Sequence, residues 1–126
     1  MYKILFTAII FVIIDGIYLS FINPYFNRQI KLVQGTDIKM NLTAAILCYI
    51  FLIFGIYHFI IQPNKSVQDA FLLGLVIYAV YELTTRALLT KWKWSTVFID
   101  TLWGGILFAI TTWIIKKIFS SKKISM

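Results

Sequence analysis

A chain of 126 residues that is 60% hydrophobic and only 13% charged departs from soluble domains, where about 25% of residues are charged. Its mean hydropathy of +0.85 points to lipid as its solvent. The net charge of +7 would suit nucleic acid, but the basic residues gather at the ends of apolar runs and build no basic face, so no nucleic-acid partner is expected.

Residues 4–22 are the first of four apolar runs long enough to cross a bilayer, which takes about 20 helical residues. The run sits where a secretory signal would, but it contains Asp15 and no small-x-small cleavage site precedes Asn23-Pro24. The expectation is a retained helix. Asn23-Pro24 should end it, because proline disfavours helical backbone in the residue before it. The connection from Pro24 to Met40 mixes Tyr25, Phe26, Ile30, Leu32 and Val33 with Arg28, Lys31 and Lys39. That mixture suits a short interfacial helix on the membrane surface, with an ordinary polar loop as the alternative.

The second run, residues 42–61, has Asn41 as its cap and Pro63-Asn64 as its stop. Its Cys48 is the chain's single cysteine, which excludes an internal disulfide and reads as a small buried hydrophobe. Ser66 and Asp69 stand at capping-box spacing before the third run, residues 70–89, with the acid on the positive end of the helix dipole. Ser95 is the expected cap of the fourth run, residues 96–115, and Lys116 and Lys117 can snorkel from its far end. The expected fold is all-α: one integral domain, a four-helix transmembrane bundle with a short interfacial helix between helices 1 and 2. An even number of spans puts both termini on one side, with Lys3, Lys65, Lys116, Lys117, Lys122 and Lys123. Arg28, Lys31, Lys39, Lys91 and Lys93 fall on the other. The balance is close, and the basic tail SSKKISM tips it toward cytoplasmic termini.

Asp15, Glu82, Arg86 and Asp100 fall inside these spans. A lone ion at the bilayer centre costs at least about 2.5 kcal/mol on insertion scales. At 1.5 Å rise per residue, Arg86 and Asp100 lie about 5–6 Å below the surface shared by the first and third loops, and Asp15 and Glu82 about 10 Å. Arg86 is therefore expected to pair with Asp100 and, at i,i+4, with Glu82. Tyr78 and Thr85 add hydroxyls on the Glu82 side of the third helix. Asp100, Trp103 and Gly104 share a face of the fourth helix, where Gly104 and Gly105 permit close approach. Gly16 and Ser20 offer a similar face beside Asp15.

Two readings of the ions stand. In one they form a satisfied network that fixes packing, so Arg86→Leu should harm folding more than Asp100→Asn. In the other, three acids against one guanidinium leave a surplus carboxylate, Asp15 by its lack of a basic neighbour at helical spacing. Such a carboxylate is a candidate proton or substrate site. His58, the only histidine, reads as interfacial. No metal-ligand spacing, phosphate loop or nucleophile elbow is present, so neither a metal nor a cofactor is expected. Trp92 and Trp94, interleaved with Lys91 and Lys93, read as an aromatic-basic collar that anchors the chain at the headgroups.

The stretches IIDGIYL around Asp15, IIQP closing the second run, YAVYELTTRALLTKW and DTLWGG together resemble the small bacterial and viral membrane proteins of the domain of unknown function 2177 family. The resemblance spans nearly the whole chain. It implies a four-helix integral membrane protein with an aspartate in the first helix. It also marks Asp15, Tyr78, Tyr81, Glu82, Leu83, Thr84, Trp92, Asp100, Trp103 and Gly104 as the matching positions. Glu82 stands where an aspartate is usual, and Thr85 where an asparagine is usual.

The resulting candidate polar core is Asp15, Tyr78, Tyr81, Glu82, Thr85, Arg86, Asp100 and Trp103. Three functions fit it: a small proton-linked transporter, a lipid- or isoprenoid-modifying membrane enzyme or its partner, and a structural membrane component such as that of a viral envelope. The expected partners are the bilayer, further copies of the chain, and a small-molecule or lipid ligand. The space around Asp15 discriminates among the three.

Overall fold

The structure, a computed structural model, describes residues 2–37 and 41–122, with side chains as far as Phe119. Lys39, Met40 and Lys123, with the rest of the tail beyond it, lie outside the described residues. Four helices account for most of the described residues: α1 (Tyr2–Gln34), α2 (Leu42–Ile56), α3 (Val67–Leu88) and α4 (Trp94–Lys122). All four are long and apolar enough to span a membrane, α2 counting the π-helical turn Tyr57–Ile61 that continues it. Asn41 Oδ1 caps α2 by accepting from the Ala44 amide at 3.0 Å, and Ser66 Oγ caps α3 by accepting from the Asp69 amide at 3.0 Å.

The first helix does not stop at Asn23-Pro24. It runs through Pro24 and ends at Gly35, which takes a left-handed φ of +80° while its amide reaches the Lys31 carbonyl. An interior proline removes one backbone hydrogen bond and costs about 3 kcal/mol in a soluble helix, and neighbouring helices relieve that cost in membrane proteins. Here the compensation is visible. Thr7, Phe11, Asp15, Tyr18, Ile22, Tyr25 and Gln29 recur at spacings of three or four, one stripe turned inward along the helix. Its last two members are tied to the α3–α4 connection and the first turn of α4. Tyr25 Oη meets Ser95 Oγ at 2.7 Å and Thr96 Oγ1 at 2.9 Å. Gln29 Nε2 donates to the Lys91 carbonyl at 2.7 Å, and its Oε1 accepts from the Lys93 amide and the Thr96 hydroxyl. The expected interfacial segment is thus the end of α1 itself. At 33 residues α1 is about 50 Å long against a hydrocarbon core of about 30 Å, so its last turns stand beyond the bilayer. Ser95 is correspondingly no cap: α4 begins at Trp94, and the serine hydroxyl serves Tyr25.

Helix α4 is the hub, with α1, α3 and the π turn all packed on it. The α3–α4 seam is the tightest because glycines line it. A Cβ on Gly74 would strike the Gly104 carbonyl oxygen, one on Gly104 the Tyr78 side chain, and one on Gly105 the Phe71 ring at 2.7 Å. Phe11 and Phe108 pack edge to face at 5.5 Å and close the α1–α4 side. By contrast, α2 rests lightly on α1. Cys48 is exposed rather than buried because most of α2 faces lipid. The face holding Gly16 and Ser20 is also turned outward, and a Cβ added at Gly16 would meet no neighbouring element within 4 Å, so it is not a packing face within the chain.

Candidate functional site

The inward stripes of α1, α3 and α4 bring three acids into one buried layer two levels deep, with Asp15 about a turn from Glu82 and Asp100. Asp15 is 7% exposed, Asp100 8% and Glu82 not at all. Asp15 sits opposite Trp103, whose Nε1 donates to Asp15 Oδ1 at 2.9 Å, and Tyr49 Oη of α2 donates to Asp15 Oδ2. The Tyr18 ring stacks on Trp103 at 4.2 Å and 5°, so one turn of α1 and one of α4 grip each other through this pair. Glu82 and Asp100 lie near enough across the α3–α4 seam to influence each other electrostatically, with no hydrogen bond of full geometry from Glu82 Oε2. Trp92 Nε1 donates to Glu82 Oε1 at 2.7 Å. Glu82 Oε2 and the Tyr18 hydroxyl, which lies beside Asp100, are buried without a partner at full hydrogen-bonding geometry.

The guanidinium is elsewhere. Arg86 lies over the Trp94 ring at 5.2 Å from its centroid. Among the described residues the one ion pair within 4.0 Å is the exposed Lys31–Asp37, at 3.9 Å. The expected Arg86–Asp100 and Arg86–Glu82 pairs are therefore not formed. Arg86 stands in the last turn of α3, where a short reach brings it to the headgroup region and an aromatic face. Staying near water spares it the desolvation that pairing with Glu82 would demand. The depth ladder shifts accordingly: Asp100 levels with Glu82, and Trp103, one turn deeper on α4, levels with Asp15.

Of the other candidates, Tyr78 packs against Gly104 beneath the layer. Tyr81 points outward, 57% exposed, and Thr85 Oγ1 donates back to the Tyr81 carbonyl at 2.9 Å, so neither hydroxyl joins the acids. Trp92, assigned to the collar with Trp94, is instead buried and turned inward to Glu82, while Trp94 remains outside. Three residues escaped the sequence reading, Tyr18 among them, although it lies one turn from Asp15 on the same stripe. Tyr49 lies on a helix whose pattern is apolar on every side, so nothing in it singles out the inward face. Gln29 lies beyond the proline, and its signal was the stripe continuing at three-four spacing through Tyr25. Among the described residues, no three His, Cys, Asp or Glu side chains are grouped to hold a metal ion.

Four apolar spans around a layer of carboxyl groups held by aromatic donors define an integral membrane protein with an acid-rich interior. The family described as predicted membrane protein (DUF2177) matches residues 1–116, from α1 into the last turns of α4, and the chain belongs to that family. No curated protein and no solved structure matches it.

Proposed function

We propose that this protein is a small proton-linked membrane carrier whose proton-binding groups are Asp15 and the Glu82–Asp100 pair. One observation carries the reading: three carboxyl groups share a buried region whose hydrogen-bond donors are neutral, while Arg86 lies on Trp94 rather than on any of them. Neighbouring buried carboxyl groups disfavour each other's ionisation, and the reading assigns the Glu82–Asp100 pair one exchangeable proton. Asp15, one turn away, is tied to α2 through Tyr49. Because α2 is the lightly packed helix, it can shift against the α1–α3–α4 core without opening the glycine seam. The reading takes both termini as cytoplasmic.

A scaffold role is the alternative, favoured by the complete burial of Glu82. The test is proton movement in reconstituted vesicles under an imposed pH gradient, with the potential clamped by potassium and valinomycin. The parent should dissipate the gradient faster than protein-free vesicles. Asp15→Asn should fall to the protein-free rate while keeping its thermal stability, since the amide oxygen can face Trp103 and the amide N–H can donate to the Tyr49 hydroxyl. A parent no faster than empty vesicles would overturn the reading.

A further inference from the structure

We propose that the bundle end opposite the acid layer's loops carries a binding site for an anionic phospholipid, with its phosphate between Lys3 and Lys116 and its glycerol region against Thr112. A cavity of about 510 Å³ opens there between the start of α1, the π turn after α2 and the last turns of α4. The size falls within the range of about 300–1,000 Å³ common to small-ligand sites. Its lining is graded in depth. Lys3, Lys116 and Asn64 stand at the mouth. Thr112 lies one helical turn deeper than Lys116, and Ile60, Ile61, Ile115 and Phe119 form the apolar wall.

The polar groups are positioned rather than loose. Lys116 Nζ donates to Asn64 Oδ1 at 2.8 Å, and Lys3 Nζ lies over the Phe119 ring at 5.5 Å. Both ammonium groups keep N–H donors to spare. Thr112 is fully buried, and its Oγ1 has no hydrogen-bond partner although the residue lines the cavity. A buried hydroxyl left without a partner destabilises the fold, and a polar ligand group seated above it removes that cost.

The choice of ligand follows from the gradient. Two cations at the headgroup level call for an anion. A hydroxyl about 6 Å further in meets the depth of a glycerol ester. Isoleucine walls continuous with the lipid-facing surface give an acyl chain its exit. A free phosphate would satisfy the lysines and leave both the hydroxyl and the walls unused. A zwitterionic headgroup brings its own cation against Lys3 and Lys116. The site is independent of the proton reading, because none of its residues belongs to the acid layer.

The experiment uses the full chain in detergent micelles doped in turn with phosphatidylglycerol, phosphatidylcholine or inorganic phosphate, read by thermal unfolding and by lipid retained in native mass spectrometry. Phosphatidylglycerol should raise the unfolding temperature and remain bound, and the other two should not. Lys3→Met and Lys116→Met should each lower its retention about fivefold. Thr112→Val should lower it with no change in charge, and Thr112→Ser should restore it. Lys116→Met also breaks the Asn64 contact, so Lys3→Met and Thr112→Val decide the matter if that variant fails to fold. Equal retention of the two lipids by the parent would overturn the proposal, as would parent-like retention in the decisive variants. A shift produced by phosphate alone would replace the lipid with a free anion.

Discussion

Replacing Arg86 with leucine separates two pictures of the buried charges by a margin that a melting curve can read. If the guanidinium neutralised Glu82 and Asp100, removing it would strand buried acids at a cost of about 3–5 kcal/mol. The structure puts it 5.2 Å from the centroid of Trp94, a ring that is 51% exposed, with no carboxylate in ion-pair range among the described residues. A cation on an exposed aromatic face contributes about 0.5–1 kcal/mol. Part of even that is returned, because Arg86 Nε is buried without a partner and leucine carries no such group. The expected loss is about 1 kcal/mol or less, a few degrees in unfolding temperature for a chain of this size. Thermal unfolding in detergent, followed by circular dichroism, gives the number. A double-mutant cycle with Trp94→Leu should return a coupling of the same small size. The reasoning fails if Arg86→Leu does not accumulate, or if adding Asp100→Asn rescues it, since rescue would mean that the arginine was neutralising that acid.

Gly74→Ala should cost about 1–3 kcal/mol by overpacking, because the new methyl group meets the Gly104 carbonyl and Phe108 Cγ at 2.8 Å; unchanged thermal stability would contradict the seam. Gln29→Leu should cost about 2–3 kcal/mol, at about 1 kcal/mol for each of three hydrogen bonds, and should expose the Lys91–Thr96 segment to faster amide exchange. Parent-like exchange there would show that α1 does not clamp this connection. With the exposed Cys48 replaced by alanine, single cysteines at Tyr2 and Lys65 should label from one side of the membrane and those at Thr36 and Thr90 from the other. Any other division rejects four spans.

What could be read from the chain itself follows from which forces are local. Bilayer thickness fixes the number of spans through continuous hydropathy, so residues 42–61 coincide with a span, 4–22 and 96–115 fall inside longer helices, and 70–89 starts late and runs one residue past its helix. Asn41 and Ser66 were legible as caps because a cap acts within one turn. The proline was misread for the complementary reason. Its local preference is to end a helix, and the tertiary clamp at Tyr25 and Gln29 that overrides it lies some seventy and sixty residues away in sequence. The acids were legible as an intramembrane group, since charge inside an apolar run is conspicuous whatever its partner. Their partners were not, because the sequence offers Arg86 at the ideal helical spacing and gives no sign that Trp94 competes for it.

The competition that Trp94 wins changes the chemistry open to the layer. A guanidinium beside a carboxyl group favours its ionised form and ties the geometry to that state. Indole N–H and phenol O–H groups can donate to a carboxylate oxygen and also, less strongly, to the carbonyl oxygen of a neutral acid. Trp103 and Trp92 can therefore hold Asp15 and Glu82 in place whether or not a proton is bound. An acid held in this way changes charge without losing its position, which a proton-binding site requires and a permanent scaffold does not. Glu82→Gln tests that distinction. Its amide oxygen can still accept from Trp92, and its amide N–H can donate to Asp100, so the variant permanently imitates the pair with its proton in place. It should unfold at a temperature within a few degrees of the parent, yet move protons no faster than protein-free vesicles. A fully active Glu82→Gln would mean that this pair never exchanges its proton, leaving Asp15 as the only acid of the layer able to serve the proposed carrier.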